Sequence, residues 1–158
     1  METKMKLPTI GHIGYIVEDI DNNIKLYKNI LNINDFYIYN FKPMRAWVDA
    51  EEIYDCKMKI AMGVMENGIK IEFIQPISGA TTPHMIFVKK KGSNIHHIAF
   101  HVKNYEDWRS YYKEKLNARI IFEAEAEDEV IGYRRSFYSR VANTDGVIEI
   151  SEIPWKRK

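Results

Sequence analysis

Two histidines and two glutamates carry the strongest chemical signal in this chain. His12 stands in Gly11-His12-Ile13-Gly14-Tyr15-Ile16-Val17, and His97 in His96-His97-Ile98-Ala99-Phe100-His101-Val102. Laying His12 on His97 sets a shift of 85 residues. At that shift Asp19 meets Asn104, Tyr27 meets Tyr112, Lys28 meets Lys113, Leu31 meets Leu116 and Asn32 meets Asn117. Matches held at one shift without a gap point to an internal duplication. Each copy also closes on an apolar run broken by one carboxylate, Ile71-Glu72-Phe73-Ile74 and Ile148-Glu149-Ile150. A single strand glutamate is ordinarily a solvent-facing residue. One His and one Glu from each copy form a symmetric donor set of mixed nitrogen and oxygen character. Such a set suits Zn²⁺, Ni²⁺, Co²⁺, Fe²⁺ or Mn²⁺ with open positions for water or substrate. It suits Ca²⁺ and Mg²⁺ less, because those ions prefer oxygen alone.

The elements that must position these residues follow from periodicity. Ile13, Tyr15, Val17 and Ile98, Phe100, Val102 alternate, which predicts a strand with one apolar face in each copy. His12 and His97 then point to the opposite face, followed there by Gly14 and Ala99, whose small size leaves room for a ligand. Asp19 to Asp21 offers helix caps in the first copy, and Asn104 with Asp107 resembles a capping box in the second. Apolar stripes follow at Ile20, Ile24, Tyr27, Leu31 and at Trp108, Tyr111 or Tyr112, Leu116. Strands are expected near residues 36–41, 57–65 and 69–74, and near 119–124, 136–140 and 147–150. Asn67-Gly68 and Asp145-Gly146 are expected as the hairpin turns before each last strand. Each copy therefore reads βαβββ. The fold expected is α+β, two tandem modules curling into a shared half-barrel around a metal site. Its parts are an N-terminal tail 1–8, a first module 9–79, a linking helix 80–92, a second module 93–154 and a tail 155–158. Thr82, Pro83 and Gly92 supply the linking helix with its cap, first residue and stop. Lys89 to Lys91 at its end pair favourably with the helix dipole rather than clamp phosphate.

Composition bounds the alternatives. The chain has 158 residues, 46% of them hydrophobic, with a formal charge of +1. That excludes a disordered chain and a net field for nucleic acid or an anionic membrane. Cys56 is the only cysteine, so intramolecular disulfides and the four-thiolate and Cys2His2 zinc classes are excluded. The polar first residues lack an apolar leader and no stretch has the length of a membrane span, so a cytoplasmic protein is expected. Among the other candidates, Arg45 and Trp47 lie in a long segment, 41–56, read either as a lid offering a cation and an aromatic ring or as a hairpin excursion. Arg135, in Tyr133-Arg134-Arg135, is a candidate for an anionic substrate group. His101 shares a face with His97, two residues on, and is read as a contact behind a metal ligand, as a substrate contact or, in the preferred reading, as a rim histidine. His96 is expected partly buried, His84 solvated, and the acidic run 123–129 a solvated loop.

The sequence also resembles the vicinal oxygen chelate superfamily, which includes glyoxalase I, methylmalonyl-CoA epimerase, extradiol dioxygenases and the bleomycin- and fosfomycin-resistance proteins. The resemblance rests on residues 10–20, 71–76, 92–100 and 146–150, and runs from about residue 9 to 154. It implies that His12, Glu72, His97 and Glu149 are the four metal ligands. The double His followed by Ile-Ala-Phe points to the epimerase branch, whereas a glutamate at position 72 is the glyoxalase I habit, epimerases often holding Gln there. Related epimerases also carry a base glutamate on the strand written here Lys57-Met58-Lys59-Ile60-Ala61, where Lys59 stands instead. That leaves Glu149 or Glu72 as the proton base. The activity implied is a metal-dependent isomerase moving a proton on a carbon alpha to a carbonyl through a stabilised enolate. Epimerisation of an acyl-CoA thioester ranks first and a lactoylglutathione lyase reaction on a glutathione-type substrate second. A dioxygenase ranks low, since four protein ligands crowd out joint binding of O₂ and substrate, and a non-catalytic binding protein ranks low because all four positions are filled. The family also implies a homodimer.

Overall fold

The computed structural model describes residues 5–128, 132–140 and 144–153. The first copy contributes β1 (Ile10–Ile16), α1 (Ile20–Ile30), β2 (Phe36–Phe41), β3 (Arg45–Val48), β4 (Glu51–Ile53), β5 (Lys57–Val64) and β6 (Lys70–Ser78). After α2 (Pro83–Lys91) the second contributes β7 (Asn94–Val102), α3 (Tyr105–Ser110) with a following π turn over Tyr111–Lys115, β8 (Arg119–Asp128), β9 (Gly132–Arg140) and β10 (Val147–Glu152). The ten strands of the described residues join one curled half-barrel sheet in the order β2-β5-β6-β1-β7-β10-β9-β8-β3-β4.

Its centre is the antiparallel pair β1 and β7, and the duplication shows in their register. His12 pairs with Ala99 and Gly14 with His97, so each pair maps onto the other at the shift of 85 residues. Gly11 and His96 are the extra residues of two β-bulges, and they too are equivalent at that shift. The last strands run parallel to the first, placing Glu72 beside Gly14 and Glu149 beside Ala99.

Apolar packing bends the sheet. Val17, Ile20, Ala61, Ile71 and Phe73 pack under α1, and Val102, Trp108, Tyr112, Phe137 and Ile150 under α3, on the convex face. Ile16, Met58, Ile60, Ile74, Phe122 and Tyr138 fill the concave face. Each of the larger aliphatic and phenylalanine side chains among them contributes roughly 1.5–3 kcal/mol by burial. The concave face is the more completely buried one along β1, where His12, Gly14 and Ile16 are buried and Ile13 and Tyr15 are half-buried under α1.

Local signals act mostly as expected. Asp19 caps α1 by accepting from Asn22 N, and Thr82 caps α2 by accepting from Met85 N. Gly68 takes the positive φ its turn demands. Three expectations change. Asn104 makes no side-chain cap bond. Gly146 lacks a positive φ, and β9 and β10 pair from Arg140 to Val147, so Asp145-Gly146 is not a two-residue turn. The acidic run is not a loop: up to Asp128 it is the end of β8, with Ala124 inward and Glu123 and Glu125 outward, a period-two strand pattern; Glu129 lies outside the described residues.

The segment 41–56 is a hairpin, but it does not stay with its own copy. β3 pairs antiparallel with β8, Ala46 against Ala124, and Met44 N donates to Glu125 O. Because β2 lies at the far edge of the sheet, the short step from Phe41 to Arg45 straps the open side of the half-barrel.

Candidate metal centre

His12, Glu72, His97 and Glu149 converge in the middle of the concave face, all buried, with one ligand atom from each lying within 4.8 Å of all the others. Glu149 Oε2 lies 3.0 Å from His12 Nε2 and 3.1 Å from His97 Nε2. Glu72 Oε1 lies 3.4 Å from both, and the two Nε2 atoms are 3.4 Å apart. Ligands about 2.0–2.1 Å from a shared first-row cation sit about 3.0–3.4 Å from one another in tetrahedral or octahedral arrangement, so these separations fit a common ion. Glu72 Oε1, moreover, is buried without a well-formed hydrogen bond, an orphaned oxygen a cation would satisfy.

The glycine beside this cluster has a different use from the one expected. A Cβ on Gly14 would lie 2.0 Å from His97 Cε1, so the space is filled by the imidazole itself rather than left for a ligand. Each imidazole is braced on its far side. His12 Nδ1 is 3.1 Å from His101 Nε2, and His97 Nδ1 is 3.0 Å from His96 Nδ1. The His101 ring lies over Gly11, where a Cβ would come within 2.8 Å. His96, in the bulge, turns to the concave side and is buried.

Charge is balanced locally. Burial disfavours the His12 cation, but Glu72 and Glu149 outweigh it and raise the imidazole to about 10. His97 is likewise raised by the two carboxylates against burial. Burial opposes ionisation of Glu72 and Glu149, yet the imidazoles hold both below the usual carboxylate range. Tyr138 packs its ring 4.9 Å from that of His97, and burial with the nearby Glu149 and Glu72 charges pushes its phenol well above the ordinary value.

Beside the four residues is a cavity of about 30 Å³, lined in part by Phe41, Met58, Ile60, His84, Arg134 and Tyr138. Glu72 and Glu149 are the only carboxylates among its described lining residues. Arg134 is the one arginine or lysine among those described lining residues, hydrogen-bonded to Tyr39 Oη at 3.3 Å, and its charge is felt by Glu72 and Glu149.

The remaining sequence candidates fall elsewhere. Lys59 lies on the helix-covered face and pairs with Asp21, because Met58 and Ile60 hold the concave register of β5. Arg45 is bound to Glu52 and stacks on Trp47, on the outer side of β3; Ala46 takes the inner register. Arg135 shares the outward register of Phe137 and is held by Glu152 and Glu106. Its neighbour Arg134 is the residue that reaches the cavity, and the alternation Arg134, Ser136, Tyr138 was the signal for it. His84 is fully buried rather than solvated, its ring 4.9 Å from Tyr138 and 5.0 Å from Phe122.

Residues 11–125 match the family described as the Glyoxalase/Bleomycin resistance protein/Dioxygenase superfamily, and the chain belongs to it. The uncharacterized protein YqjC of Bacillus subtilis (strain 168) is 30% identical over 91 residues, which make up 58% of this chain and 55% of that protein. The chain thus matches about half the length of this curated relative. Solved structures share the fold. A methylmalonyl-CoA epimerase from Mycobacterium tuberculosis superposes with a TM-score of 0.64 at 16% identity, over 98% of this chain and 93% of that one. A hypothetical protein from Bacillus halodurans gives 0.62 at 22%, over 95% and 97%. A Streptomyces coelicolor methylmalonyl-CoA epimerase in complex with 2-nitronate-propionyl-CoA gives 0.61 at 17%, over 97% and 99%. Among the described residues no helix is long and apolar enough to cross a membrane.

Proposed function

We propose that the protein is a metal-dependent isomerase that moves a proton on a carbon alpha to a carbonyl, with His12, Glu72, His97 and Glu149 holding the ion. The observation that carries this reading is the four-residue donor set, buried together at the only carboxylates lining the described part of the cavity. A divalent cation held there supplies a Lewis acid that polarises a carbonyl and stabilises the negative charge that develops on it. The chain's own residues supply the rest. Glu149 takes the proton from the substrate carbon and returns it, since among the described residues no third carboxylate lines the cavity and Lys59 faces away. Glu72 completes the donor set. Arg134, half-buried and cationic, holds an anionic group of the substrate, and Tyr138 packs against the His97 ring. The cavity of about 30 Å³ holds roughly one water, so the strap around Phe41 must yield to admit a substrate.

An acyl-CoA thioester is the favoured substrate, supported by the resemblance of the His96-His97-Ile98-Ala99-Phe100 segment to the epimerase branch. Epimerase structures share the fold, and one is described as binding an acyl-CoA compound. A glutathione hemithioacetal is the second reading, favoured by the carboxylate rather than an amide at position 72. Purified wild type should hold one equivalent of divalent metal and His97→Ala almost none. Metal-loaded protein turning over methylmalonyl-CoA in deuterium oxide should place deuterium at the alpha carbon, and chelator should stop it. Stoichiometric metal in His97→Ala, or no exchange with any thioester or hemithioacetal tried, would overturn the proposal.

A further inference from the structure

A second cavity, far larger than the first, lies beside His96 and His97. It measures about 670 Å³ and lies among α2, β3, β8, β9, β10 and the start of β7. That volume is in the range of small-molecule sites. Ile86 and Phe87 of α2, Ile121 of β8 and Val147 of β10 give it apolar walls. Two lining side chains present buried nitrogen atoms that no described residue satisfies, His96 Nε2 and Arg140 Nε. His96 is 7% exposed, and the Arg140 charge is felt at its ring. A buried donor left unpaired costs about 1–3 kcal/mol, so two beside one cavity mark a place where a ligand belongs.

The charges around them choose its sign. Lys90 and Lys91 stand at the rim with Arg140 and Arg119, against Asp49 and Asp145. Arg119 is already committed to Asp49 through two hydrogen bonds of 2.8 and 2.9 Å. What remains is cationic. His96 adds a donor where His97 keeps its proton on Nδ1: His97 then donates to His96 Nδ1 and leaves the His96 proton on Nε2. That tautomer rests on His97 giving Nε2 to a metal; the Arg140 donor does not.

We infer that this cavity is a binding site for a small organic carboxylate with an apolar body, its two oxygens accepting from Arg140 Nε and His96 Nε2 and its body lying along α2. The site is separate from the cavity beside Glu72 and Glu149, sharing no described lining residue with it. It meets the metal centre at His97, which lines it beside His96.

Octanoate is the probe, titrated calorimetrically into the full chain, with octanamide as the uncharged control. Wild type should bind one octanoate, and octanamide at least about tenfold more weakly, the usual scale for a hydrogen bond to a charged group. Arg140→Met and His96→Phe should each weaken octanoate by about tenfold or more. Ile86→Trp fills the cavity from a half-exposed wall without burying a charge, and should also abolish binding if the other two variants fold poorly. The Arg140 donor does not depend on a metal, so Arg140→Met tests the carboxylate site apart from the metal reading. No saturable octanoate binding to wild type, equal binding of octanamide, or unchanged affinity in both Arg140→Met and Ile86→Trp would overturn the inference.

Discussion

His96 Nδ1 lies 3.0 Å from Nδ1 of its chain neighbour His97, a contact that only a β-bulge permits. In a regular strand successive side chains point to opposite faces. The bulge at His96 puts both rings on the concave face. The equivalent bulge in the first copy falls at Gly11, where the missing side chain lets His101 reach across from β7 to His12. The duplicated backbone thus braces both imidazoles, but with residues from unrelated positions. All five histidines of the sequence form one connected group as a result, with His84 against His96.

Gly11→Ala should lower metal affinity without unfolding the chain. The new Cβ would come within 2.8 Å of the His101 ring and push it off His12. Loss of such a bracing contact ordinarily costs about 10–100-fold in affinity. Competition against a chelator measures it, and an unchanged constant would show that His101 does not orient His12.

Replacing Glu149 by Gln should cut solvent-deuterium exchange by roughly 10²–10⁴, the scale of general-base catalysis. Metal should be retained in part, because an amide oxygen still coordinates. Glu72→Gln should be milder, because the resemblance to the epimerase branch implies that Gln can stand at that position. A defect in Glu72→Gln equal to or above that of Glu149→Gln moves the base to the first module.

Ala50→Gly should stabilise the protein. Asp49 and Ala50 both have positive φ, 48° and 68°, in the turn joining β3 and β4. That turn type favours Asp-Gly, and an alanine there is held at a cost of about 1 kcal/mol. The variant should melt roughly 2–4 °C higher. A lower melting temperature would mean that Ala50 packs in a way its exposure does not suggest.

Acid should destabilise the fold partly through His84. Burial, with His97 adding to it, holds this imidazole down to about 3, against an ordinary value of 6.5. The folded value is depressed, so the unfolded chain takes the proton first. Stability is intact above about pH 6.5 and falls as pH drops from there toward about 3. Between pH 6.5 and 4.5 one such group costs roughly 2–3 kcal/mol. Urea unfolding of wild type and His84→Phe at both pH values isolates the term. The variant should lose less, and equal losses would show that another group carries the acid sensitivity.

What the sequence determined by itself was what local periodicity and duplication can carry. The alternation at Ile13, Tyr15 and Val17 set the faces of β1. The shift of 85 residues coupled His12 to His97 and made a pair of glutamates out of two unremarkable strand residues. Thr82, Pro83 and Gly92 bounded α2 because capping is chemistry within one turn. Register could also have selected Arg134 over Arg135 and recognised Glu123 to Glu127 as a strand, since both follow period two. The rest was settled by contacts between segments remote in the chain. The bulge at His96, the ring of His101 over Gly11 and the hairpin carrying Arg45 and Trp47 away to β8 depend on how the β1–β7 and β3–β8 ladders are staggered. A side-chain period of two makes each such one-residue stagger reverse which face a residue occupies, and no short-range pattern in the sequence encodes it.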